Sequence, residues 1–190
     1  DLGAGLFGNG LVEGHVLLVA GTQRLAAAHP YSASPTAYWV DAGQRGWWAN
    51  CAFCALGIAV INGRPVRIHC RLGAMSEAAV IEASRVGVSH GELRLHIPLP
   101  LARWHDDVQF TCANVHLFSN AGAIDEWSGR FRLPRGKDVS LADAWRLANR
   151  WYRHYLDDDW TPHSGASLRR ICTACGLQGG FWDPNGNVDS

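Results

Sequence analysis

The sequence predicts an α+β fold, a mixed or antiparallel sheet with flanking helices, and three observations carry that reading. Short segments rich in β-branched and aromatic residues outnumber helical ones. Gly, Asn and Pro punctuate them closely enough for hairpins. Segments with a helical apolar stripe interrupt or follow these strands as blocks instead of alternating with each one, so the pattern of a parallel βαβ sheet is missing.

Taken in order, residues 1–14 (DLGAGLFGNGLVEG) are Gly-rich and weakly patterned, and HVLLVAGTQRLAAAH is apolar without a decisive period. Residues 1–28 are therefore set apart as an N-terminal segment, expected as the remnant of a longer N-terminal region in a chain that begins at Asp1. From Pro30 the signals sharpen into a loop, a strand over Thr36 to Val40, a turn at Ala42-Gly43 and a second strand through Trp47 and Trp48. Asn50 is a favoured N-cap residue, which makes Cys51 the first residue of a helix. Ala52, Ala55, Leu56, Ala59 and Val60 form its apolar stripe, and Asn62-Gly63 ends it. Strands are expected over 65–70, 78–84 and 93–97, and a long one over 108–118 in which Val115 and Leu117 alternate with His116 and Phe118. A short helix follows over 122–130, with Asp125 and Glu126 read at its positive end. A longer helix covers 141–156, where Ser140 caps, Asp143 stands three residues on, and Trp145, Ala148 and Tyr152 share a face. Residues 29–156 are expected to form the core domain. The acidic run Asp157 to Asp159 and the Gly/Asn/Pro-rich end mark 157–190 as a tail or small appendage carrying a CxxC pair, Cys172 and Cys175.

Seventeen basic and 17 acidic residues leave a formal net charge of zero. No run of one sign offers a footprint for nucleic acid or an anionic membrane. No apolar stretch approaches the roughly 20 residues that span a bilayer, and no signal-peptide order is found at the start. The expectation is a cytoplasmic protein with a small-molecule partner, no nucleic acid and no membrane. Six cysteines in a chain of 190 residues with nine Trp and long apolar segments read better as free thiols than as a disulfide framework.

The stretch NCAFCALGIAV, residues 50–60, puts two thiols three apart at the front of a buried helix. A thiol there faces unpaired backbone N–H groups and the positive end of the helix dipole, so Cys51 is expected to be the most acidic of the six. Cys54 lies on the same face one turn on, and two sulfurs converging on one point suit a soft ion such as Cu(I), Zn or a heavier thiophilic metal. The alternative is that both are small buried hydrophobes.

The order of motifs is more specific. NCAFCALGIAVINGRPVRIHC, then QFTCANVHLF about forty residues after Cys70, then DEWSGRF, resembles the organomercurial (alkylmercury) lyase family over about residues 29–156. Upstream, HPYSASPTAYWV resembles the strand leading into that family's site. The resemblance implies an alkylmercury-lyase-like fold, with Cys51 on the first catalytic cysteine, Cys112 on the second, and Cys70 on a further, structural cysteine. Where the family carries its catalytic aspartate, this chain has Cys54. The implied reaction is protonolysis of a carbon–mercury bond in a small organomercurial, with no cofactor required, Hg(II) as bound product and a mercuric reductase as the partner that accepts it. Cys54 keeps a proton carrier, since a thiol of pKa near ~8.5 can donate, and adds a third soft ligand. The catalytic set is thus Cys51, Cys54 and Cys112. The metal set adds His116, placed by strand alternation on the face of Cys112. Two other readings stay open: sequestration of Hg(II) or Cu(I) by three thiolates, and a diverged enzyme using copper on another small organic molecule. Trp47 and Trp48 are candidates to wall the site from water, Cys70 is expected in the core and His69 exposed. Cys172 and Cys175 lie outside the family pattern, as a second metal site, a disulfide, a shuttle or a structural pair.

Overall fold

The computed structural model describes residues 11–12, 16–19, 21–75 and 77–186, so most of the Gly-rich start lies outside the described residues. The N-terminal part opens with β1 (Leu11–Val12), β2 (Val16–Leu18), β3 (Leu25–Ala28) and β4 (Tyr31–Ser32). The expected hairpin follows as β5 (Tyr38–Asp41) and β6 (Gly46–Ala49), paired antiparallel with Trp39 opposite Trp48. After helix α1 (Ala52–Asn62) come β7 (Val66–Arg71), β8 (Ala78–Ser84) and β9 (Gly87–Val88). These strands form one antiparallel sheet in the order β1-β2-β3-β4-β6-β5-β7-β8-β9. In β7, Val66, Ile68 and Cys70 are buried while Arg67, His69 and Arg71 face outward, the period of two that a half-buried strand requires. Cys70 and His69 thus lie as expected.

Beyond β9, strand β10 (Arg94–Ile97) heads a second, three-stranded antiparallel sheet with β11 (Leu117–Phe118) and β12 (Lys137–Ser140). Helix α2 (Val108–Asn114) precedes β11 and α3 (Ala121–Phe131) follows it. Helix α4 (Leu141–Tyr152) runs directly out of β12, and α5 (Gly165–Ala174) packs beside it. The class is therefore α+β, as the punctuation of the sequence predicted. No helix among the described residues is long and apolar enough to cross a membrane.

Helix α1 is the axis of the core. Residues Ala52 through Ala59 are all buried, because β5, β6 and β8 cover one side and α4 the other. A helix hydrophobic all round needs such enclosure. Gly63 closes it in the left-handed conformation at φ 65°, its N–H donating to the carbonyls of Ala59 and Val60. Gly57 is the point of closest approach to α4: a Cβ there would lie 2.6 Å from Cε2 of the Tyr152 ring. Ser140 caps α4 as its sequence indicates, accepting from the Asp143 N–H and donating its hydroxyl to the Asp143 carboxylate.

Four expectations are corrected. Cys51, not Asn50, is the N-cap of α1: its backbone is extended and its Sγ accepts the N–H of Cys54 at 3.4 Å. Residues 108–118 are not one long strand, because the Asp107 carboxylate caps the Phe110 N–H at 2.8 Å and starts α2, leaving only Leu117–Phe118 in the sheet. Helix α3 is capped by Asn120, which moves Asp125 and Glu126 from its positive end to its middle. Helix α4 ends at Tyr152, four residues early. As for 157–190, Leu168, Cys172, Cys175 and Trp182 are buried in the same core cluster as α1 and α4.

Candidate functional site

Two short-range devices bring three thiols together. Cys51 caps α1, and Cys54 one turn later directs its side chain back toward the helix start, because Cα–Cβ bonds in a helix tilt that way. The Ala52 N–H then donates to the carbonyl of Val115 at 3.2 Å, which ties the front of α1 to the residue that ends α2. Cys112 sits in the last turn of α2. The sulfurs of Cys51, Cys54 and Cys112 all lie within 4.8 Å of one another, with Cys51 and Cys54 fully buried and Cys112 partly open.

Electrostatically the three thiols act on one another. Hydrogen bonds from the Cys51 and Cys54 thiols pull Cys112 down to about 3 against its burial, with His29 and His105 adding favourable field. Burial first, and then hydrogen bonding to Cys112, push Cys51 and Cys54 well above the ordinary thiol range. Enclosure works against the expectation that Cys51 is the most acidic thiol. A cap N–H does stabilise a Cys51 thiolate, but full enclosure beside an existing charge costs more. Charge is thus favoured on Cys112, with the Cys51 and Cys54 thiols held toward the neutral form.

Above the sulfurs lies a cavity of about 180 Å³. Phe53, Trp104, Trp151, Tyr152, Trp160 and Leu168 supply most of its apolar wall, and His29, His105 and His163 its polar edge. Thr111, beside Cys112 in the chain, also lines it, and its buried hydroxyl has no partner among the described residues. Trp47 and Trp48 do not line it; Trp47 packs edge-on against Tyr31 and Trp48 against Trp39, on the sheet.

A family model described as MerB, alkylmercury lyase, matches residues 31–153, most of the chain. This chain belongs to the alkylmercury lyase family. Among solved structures, one described as the mercury-bound form of MerB2 superposes with a TM-score of 0.60 over 75% of this chain and 69% of that one, at 19% identity. That likeness speaks of fold. No curated protein matches the chain.

In this alkylmercury lyase family member, the other sequence candidates fall outside the cluster. His116 is 6% exposed, and its nitrogens are not grouped with the three sulfurs. Its Nδ1 faces the Tyr38 hydroxyl at 3.1 Å, while that hydroxyl oxygen accepts the Leu117 N–H at 3.3 Å. His116 and Tyr38 thus share one hydrogen bond inside the core. Burial lowers the His116 pKa to about 4. The strand register that put His116 on the face of Cys112 fails because Cys112 is helical. Cys70 donates its thiol to the Ala79 carbonyl and burial raises it to about 11, which suits a core residue. Cys172 and Cys175 lie at the end of α5 in the same core, but outside the cavity lining.

Sequence reasoning missed Tyr152 and His29. The Tyr152 hydroxyl lies 3.1 Å from His29 Nε2, both side chains line the cavity, and they stand 123 positions apart in the chain. Only the apolar stripe of α4 hinted at Tyr152, and nothing local marked His29.

Proposed function

We propose that the protein cleaves the carbon–mercury bond of small organomercurials by protonolysis at Cys51, Cys54 and Cys112. One observation carries the reading: three cysteine sulfurs within 4.8 Å of one another share the floor of an apolar cavity. Mercury is attracted to the sulfurs and its organic group to the wall. The Cys112 thiolate displaces the ligand X of R–Hg–X, forming Cys112–S–Hg–R and releasing X⁻. Cys54 then delivers its proton to the carbon while the Cys51 sulfur bonds mercury and passes its own proton to Cys54. The C–Hg bond breaks, R–H leaves, and Hg(II) remains between Cys51 and Cys112. Two external thiols remove it, one of their protons returning to Cys51 and the other leaving to solvent as Cys112 reverts to its thiolate, and a mercuric reductase is the expected downstream acceptor. No cofactor enters this cycle.

Cys54 in the aspartate position sets the balance between turnover and retention. As a thiol it donates a proton; as a thiolate it becomes a third soft ligand. The closeness of all three sulfurs favours a second reading, sequestration of Hg(II) or Cu(I) in a three-sulfur site, and copper chemistry on another small molecule is the remaining variant. Headspace analysis of protein incubated with a phenylmercury salt under excess thiol separates these. Benzene in many equivalents per protein supports the lyase; firmly held mercury with no benzene supports sequestration.

A further inference from the structure

The wall above the sulfurs is built of aromatic rings that hold one another. Trp104 and Trp151 stack at 5.5 Å and 27°. Phe53 stands perpendicular to Trp151 at 5.7 Å and 89° and tilts against Trp104 at 6.0 Å. The Trp104 indole N–H donates to the Leu99 carbonyl at 2.9 Å, which fixes the ring that closes the stack. On the far side, His163 sits edge-on to Trp151 while its Nε2 lies 2.8 Å from the Trp151 carbonyl. Phe53 stands between Cys51 and Cys54 in the chain, so the slot begins at the sulfurs.

We propose that this slot selects mercurials whose organic group is a single aromatic ring over those carrying a methyl or ethyl group, with Phe53, Trp104 and Trp151 as the specificity-determining residues. The inference rests on the protonolysis reading, because it assigns the space that the group on mercury occupies. Size argues for it: the cavity measures about 180 Å³, and an apolar protein cavity of roughly 150 Å³ takes up benzene. A methyl group would leave most of that space unfilled and forfeit its dispersion contacts. Shape argues for it as well, since offset and edge-to-face contacts reward a flat ring. A pre-formed wall adds no ordering cost on binding, whereas a longer alkyl chain must give up rotamers to fit.

The test compares kcat/KM for phenylmercury and methylmercury in the wild-type protein and in Phe53→Leu, Trp104→Leu and Trp104→Phe. The ratio of the two substrates within one protein is read, so loss of folded material cancels. Its change between proteins is read next, so the intrinsic reactivity of the two carbon–mercury bonds cancels too. The expected result is a fall in the phenyl-to-methyl ratio of about tenfold or more in each Leu variant, and of no more than about threefold in Trp104→Phe, which keeps a ring. An unchanged ratio in both Leu variants overturns the inference while leaving protonolysis standing. If the wild-type protein releases hydrocarbon from neither salt, the protonolysis reading fails. Retention of the two mercurials on dialysis against excess glutathione then decides the inference: preferential retention of phenylmercury, lost in the Leu variants, supports it, and equal retention overturns it.

Discussion

Gly57→Ala should destabilise the protein even though it replaces glycine by the best helix former. In the middle of a helix, Ala gains about 1 kcal/mol over Gly. Against that, the new Cβ would lie 2.6, 2.7 and 2.8 Å from Cε2, Cζ and Cδ2 of Tyr152, a ring that is 1% exposed. Overpacking a rigid core site costs about 1–3 kcal/mol, and a contact across three atoms of one ring belongs at the upper end. Displacing the ring also breaks the Tyr152–His29 hydrogen bond of 3.1 Å, worth about 1 kcal/mol. The net is a loss of about 2–3 kcal/mol, which lowers Tm by roughly 5–10 °C in a domain of this size. Urea unfolding of wild type and variant, followed by tryptophan fluorescence, measures it. Since Tyr152 lines the cavity above the thiols, hydrocarbon release should fall in the folded variant too. A variant as stable as the wild type would show that α1 and α4 do not meet at Gly57, and the placement of Tyr152 over the site would fall with it.

Cys112→Ser should lower hydrocarbon release by on the order of a hundredfold or more, since a serine oxygen is neither ionised nor soft, whereas Cys172→Ser and Cys175→Ser should leave it near wild type; parallel rate measurements check both. Cys54→Asp restores the family's carboxyl group, and should raise turnover while loosening retained Hg(II) by roughly tenfold, read by dialysis against a competing thiol. Folding stability should decline as pH falls from about 6.5 toward 4, because the unfolded chain protonates His116 across that window while the folded protein, with His116 at about 4, does not. That linkage is worth on the order of 3 kcal/mol for a group this buried, and His116→Gln should flatten the slope in unfolding experiments at pH 7 and 4.5.

Much of the fold was legible because local rules and burial agree there. Ser140 with Asp143, Gly63 after an apolar stripe, and the alternation of Val66, Ile68 and Cys70 each state one conformation, and the structure adopts it. The stretch VQFTCANVHLF misled because Val, Phe and Thr favour strands, while the decision rests on the carboxylate of Asp107 just ahead of it. That error carried His116 into the metal set. Cys51, Cys54 and Cys112 could be listed from motif order, yet the enclosure that pushes the Cys51 and Cys54 thiols up is something sequence does not display. The aromatic wall was equally hidden: Phe53, Trp104 and Trp151 come from three separate elements, and the more conspicuous Trp47 and Trp48 pack on the sheet.

The most direct test of the central claim is a single turnover without added thiol. One equivalent of phenylmercury is mixed with the protein, the headspace is assayed for benzene, and the mercury left on the desalted protein is examined by X-ray absorption. A three-thiol cluster that binds mercury and supplies the proton predicts about one benzene per bound mercury, with sulfur as mercury's only neighbour. Phenylmercury recovered intact on the protein, its carbon still bonded to mercury, would contradict the claim that the cluster both binds the metal and supplies the proton.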